Sequence, residues 1–99
     1  MLDKLTANDF RPHLGSSFHV TVDGADEPLG LTLIEVSELG DEGGGPRQDP
    51  FSLVFRGPRD VYLPQQIYTI HNDEMGTLNI FLVPIRPDEQ GMRVQAVFN

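Results

Sequence analysis

Apolar residues recur at alternate positions over short stretches of this chain, and clusters of Gly, Pro and Asp separate one stretch from the next. A period of two marks strands that bury one face. The first stretch sets Phe18, Val20 and Val22 on one face and His19, Thr21 and Asp23 on the other. Asp23-Gly24-Ala25-Asp26-Glu27-Pro28 is a turn by composition. In the next stretch, from Leu29, Leu31 and Leu33 alternate inward while Ile34 and Val36 fall on the opposite parity. That slip means either a bulge near Leu33 and Ile34 or a strand apolar on both faces, and the bulge is the favoured reading, since small barrels bend their sheets with one.

The pattern resumes at Phe51, Leu53 and Phe55, which alternate with Ser52, Val54 and Arg56 and predict a third strand with an aromatic inner face. Gly57-Pro58-Arg59-Asp60 ends it, and Val61-Tyr62-Leu63-Pro64-Gln65-Gln66 reads as a short irregular edge segment, since Pro64 lacks a ladder donor. Residues 67–70 predict the fourth strand and 71–76 a turn. The apolar run Leu78-Asn79-Ile80-Phe81-Leu82-Val83-Pro84-Ile85 predicts a long fifth strand, with Pro84 marking an edge or a bulge. Arg86-Pro87-Asp88-Glu89-Gln90-Gly91 predicts the last turn, and 92–98 closes the sheet.

Two segments depart from this period. Near the start, Thr6 and Asp9 have the spacing of a capping box, with Leu5 and Phe10 placed as a hydrophobic staple. Pro12 and Gly15 limit that helix to about two turns, so residues 1–15 are expected to plug one end of the core through Leu5, Phe10 and Leu14. The longest break, 39–50, holds Gly43-Gly44-Gly45-Pro46 and reads as a flexible Gly-rich loop. A phosphate-cradling loop is disfavoured, because no Lys-Ser or Lys-Thr follows and the next element is a strand. The predicted fold is all-β: one domain over 1–99, a small antiparallel barrel or sandwich of about six strands with a short N-terminal helix.

A 99-residue chain buries roughly two-thirds of its unfolded surface, enough for one modest core. The absence of cysteine excludes disulfides, thiolate metal sites and thiol nucleophiles. Residues 1–9 contain no apolar run and carry Asp3 and Asp9, unlike a signal peptide. No stretch approaches the roughly 20 apolar residues of a membrane span. The expected location is the cytoplasm, or an exported assembly without a signal peptide, with no membrane partner. Fifteen acidic against seven basic residues give a net charge of −8, which argues against nucleic acid.

Candidate chemistry is sparse. His13, His19 and His71 fall on three separate elements and read as surface or loop histidines rather than a metal triad. Asp73 with Glu74, and Glu35 with Glu38, lie in turns or on solvated faces where nothing would raise a carboxyl pKa for acid–base work. Ser16, Ser17, Ser37 and Ser52 lack a nucleophile-elbow context. No catalytic residue, metal or cofactor is assigned. Arg56, Arg59 and Tyr62, with the polar Gln65 and Gln66 beside them, form a candidate protein-binding patch, since Arg and Tyr are enriched in such patches. Strand addition along this segment is the expected docking mode.

Three blocks carry a family likeness. They are Leu5-Thr6-Ala7-Asn8-Asp9-Phe10 with the preceding Met1-Leu2-Asp3-Lys4, Asp49-Pro50-Phe51-Ser52-Leu53-Val54-Phe55-Arg56-Gly57-Pro58, and Ile80-Phe81-Leu82-Val83-Pro84-Ile85 with Ala96-Val97-Phe98-Asn99. On these the chain resembles an uncharacterised family of bacterial domains of about a hundred residues. The resemblance implies a neighbourhood of phage tail-collar-type proteins, but no activity or site. Together these readings predict a non-enzymatic assembly or adaptor domain, linked to a phage-tail-like or surface fibre system, that binds a protein partner or a second copy of itself. The alternative is a small-ligand or carbohydrate-binding β module.

Overall fold

A computed structural model describes residues 5–40 and 49–99. The Gly43 to Pro46 part of the expected loop, and Met1 to Lys4, lie outside the described residues. Six antiparallel strands, β1 (Ser17–Val20), β2 (Leu29–Glu38), β3 (Phe51–Gly57), β4 (Gln66–Asn72), β5 (Gly76–Asp88) and β6 (Gly91–Phe98), form a closed barrel. Their order around the wall is β1-β2-β3-β6-β5-β4, and β1 closes on β4. The barrel alternative is therefore the one observed.

The period-two pattern builds the interior. Phe18 and Val20, Leu31 and Leu33, Phe51, Leu53 and Phe55 are all buried, as are Ile80 and Leu82. Phe18 on β1 meets Phe55 on β3 edge-on at 5.2 Å between centroids, inside the barrel across the intervening β2. The parity slip in β2 is a bulge: Leu33 pairs Phe55 and Glu35 pairs Val54, so Ile34 is the extra residue. It lets Leu33 and Val36, three residues apart, both turn inward. β3 departs from the expected one-sided burial, since Ser52 and Val54 on its outer face are buried too.

A short N-terminal helix is present. The helix α1 (Ala7–Phe10) starts at Thr6, whose backbone N–H donates to Asp9 Oδ2 at 2.8 Å, and a 3₁₀ turn (Arg11–His13) follows. Phe10 is fully buried against Phe51 and Phe98, with centroids 5.8 and 6.0 Å away. Phe98 itself stacks on Phe51 at 4.5 Å. Leu14 was expected in this plug but is 46% exposed, because the 3₁₀ turn rotates it away; Ala7 is buried instead.

The opposite end of the barrel is built differently. β4 begins at Gln66, opposite Leu82, so the last part of β5 has only β6 beside it. Pro84 and Pro87 occur in this one-sided stretch, where a missing N–H removes no donor from a second ladder. β5 extends to Asp88 through a register shift between Ile85 and Asp88, which shortens the expected last turn. Residues 58–65 lead into β4 at this end. They are not a strand, and Leu63 is buried in the core. Segment 58–65 is therefore not itself a sheet edge; the unpaired flank at this end belongs to the last part of β5. Among the described residues no helix is long and apolar enough to cross a membrane.

Candidate functional site

Segment 58–65 is held by a few specific contacts. Tyr68, buried on β4, donates its hydroxyl to the carbonyl of Pro64 at 2.6 Å. Burial, and secondly the nearby Tyr62, push the Tyr68 phenol above its ordinary pKa, so it stays a donor through the neutral range. With Pro64 pinned and Leu63 buried, the side chain of Tyr62 is left outward, 72% exposed.

Between this segment and the β5–β6 hairpin lies a groove of about 320 Å³. Val61, Tyr62 and Leu63 form one wall, and Pro84, Ile85, Pro87, Met92 and Val94 the other; Arg59, Asp60 and Arg93 add the polar groups. Its volume lies at the lower end of the roughly 300–1,000 Å³ typical of ligand sites, enough for one or two side chains.

The sequence-predicted patch divides. Arg59 and Tyr62 line the groove, while Arg56, Gln65 and Gln66 are absent from its lining. Arg56 Nε reaches both carboxylate oxygens of Asp88, at 3.2 and 3.1 Å, and its Nη2 pairs with the same group. Asp88 Oδ1 also accepts from the backbone N–H groups of Gln90 and Gly91 at 2.9 and 3.0 Å. The hydrogen bond from Arg56 is the main reason that Asp88 is lowered to about 2. Arg56 thus fixes the hairpin that forms one wall of the groove. Gln65 and Gln66 stand exposed at the start of β4.

The hairpin wall was missed by sequence reasoning, although its signal was present: two prolines three residues apart at the end of an apolar strand. Pairing with the 59–63 wall depends on topology, which no local pattern carries. Elsewhere, His19 stands opposite His71 across β1 and β4, His71 Nδ1 lies 3.2 Å from Thr77 Oγ1, and His13 sits apart beside Phe18. Among the described residues no three His, Asp or Glu side chains gather to hold a metal.

A family model for a domain of unknown function, DUF6916, matches residues 5–98. The chain belongs to this family. The match spans the plug, the barrel and the groove, so the DUF6916 domain is the whole described unit. No curated protein and no solved structure matches it.

Proposed function

We propose that this DUF6916 domain is a non-enzymatic binding module that docks a protein partner in the groove between residues 59–63 and the β5–β6 hairpin. The observation that carries the reading is the groove itself, an apolar slot with an exposed tyrosine on its lip. Tyrosine buries a large, stiff surface and is enriched where binding energy concentrates. The proposed partner class, a fibre or tail-like protein of a bacterial cell or phage-like assembly, rests on the family likeness alone. The domain would then act in the cytoplasm or within an exported assembly.

The test is recovery of partners from an extract of the source cells by the immobilised domain, alongside Tyr62→Ala and Ile85→Ser variants. A protein held by the wild type should fall at least about tenfold in both variants. Equal recovery by all three would reject the groove as the docking site.

A second reading, self-association, is favoured by a different surface. Ile67 and Phe81 face each other across β4 and β5 on the outer wall, 67% and 48% exposed. Light scattering that finds a dimer, dispersed by Phe81→Ser, would support it. The small-ligand alternative predicts instead a monomer whose Tm rises with a particular sugar or metabolite.

A further inference from the structure

The charges around the groove run against those of the molecule. Of the five arginines among the described residues, Arg11 is paired with Glu38 and Arg56 with Asp88. Of the other three, Arg59 and Arg93 line the groove, while Arg86 lies in the same hairpin and its backbone carbonyl accepts from Arg93 Nε at 2.9 Å. None of these three has an ion-pair partner among the described residues. One carboxylate, Asp60, shares the lining. A chain of net charge −8 therefore places two arginines without ion-pair partners among the described residues on the lining of its apolar slot.

We infer that the groove takes an acidic segment of the partner protein, with an apolar side chain seated against Tyr62 and flanking carboxylates on Arg59 and Arg93. The inference rests on the groove-docking reading above and names the chemistry of its occupant. The overall negative charge disfavours a long polyanion or a second copy, which would feel the whole molecule. A short segment whose carboxylates lie within a Debye length of the two guanidinium groups feels mainly the local cations.

Three blocked hexapeptides test it by fluorescence titration and amide chemical shifts: two leucines flanked by glutamates, two leucines flanked by lysines, and two glycines flanked by glutamates. At about 0.1 M salt, where the Debye length is about 10 Å and the distant carboxylates are screened, the glutamate–leucine peptide should bind about tenfold or more tighter than either other peptide, with shifts at residues 59–63 and 84–94. The margin should shrink at about 0.5 M salt. Arg59→Glu should remove most of the preference for glutamate over lysine. Arg11→Glu, which makes the same charge change at the far end of the barrel, should leave it intact. Arg11→Glu gives up the ion pair with Glu38, so a cooperative melt and native amide-shift dispersion, rather than an unchanged Tm, confirm folding of both variants.

Equal or tighter binding of the lysine–leucine peptide overturns the acidic-partner inference while the groove reading stands. If Tyr62→Ala leaves binding of the glutamate–leucine peptide unchanged, both fall. Absence of binding by every peptide also overturns the inference.

Discussion

The carboxylate of Asp88 joins β3 to the last turn, through Arg56 on one side and two backbone donors on the other. Its pKa, lowered to about 2, makes this tie dependent on pH. A depressed carboxyl contributes stability that is complete above the unfolded value of about 3.9 and is lost as pH falls toward the folded value. Thermal melts of the wild type and Asp88→Asn should therefore differ most near neutral pH and converge between about pH 4 and pH 2. A Tm gap that stays constant across that window would show that the ion pair contributes nothing. Glycine sets a second residue-scale constraint. A Cβ on Gly91 would collide with the carbonyl oxygen of Gly57, whereas a Cβ on Gly57 would meet the Leu31 Cδ2 at 2.8 Å and the end of Met92, which can move. Gly91→Ala should cost about 3 kcal/mol or more and Gly57→Ala about 1 kcal/mol, read from urea unfolding.

Among the elements, the N-terminal plug and the bulge separate what local pattern encodes from what it does not. Thr6, Asp9 and Phe10 announced the helix and its buried face, because capping and staple spacings act within one turn. Leu14 misled, since the same apolar type can end on either side of a 3₁₀ turn and only the backbone path decides. Phe10→Ala should accordingly destabilise by about 3–5 kcal/mol, and Leu14→Ala by no more than about 0.5 kcal/mol. Ile34 was legible for the opposite reason: a period of two has no slack, so one inserted residue is visible as a parity change. The candidate site was half legible. Arg59 and Tyr62 fall in a segment that breaks the pattern, while Ile85 and Met92 look like ordinary strand residues until the chain folds back.

For the whole molecule, closure is uneven. β3 and β6 share seven paired positions, whereas β1 and β4 share two, at His19 with His71 and Val20 with Ile70. Local opening should begin at that seam, so the Thr21 amide, bonded to Thr69 across it at 3.0 Å, should exchange faster than the amides linking β3 to β6. Native-state hydrogen exchange reads this directly, and uniform protection around the wall would contradict it. The other interruption of the wall is the one-sided end of β5, which carries Pro84 and Pro87. Prolines there deny an approaching chain the donors needed to zip onto an exposed flank. Copies of the domain brought side by side should therefore resist fusing their sheets along this flank.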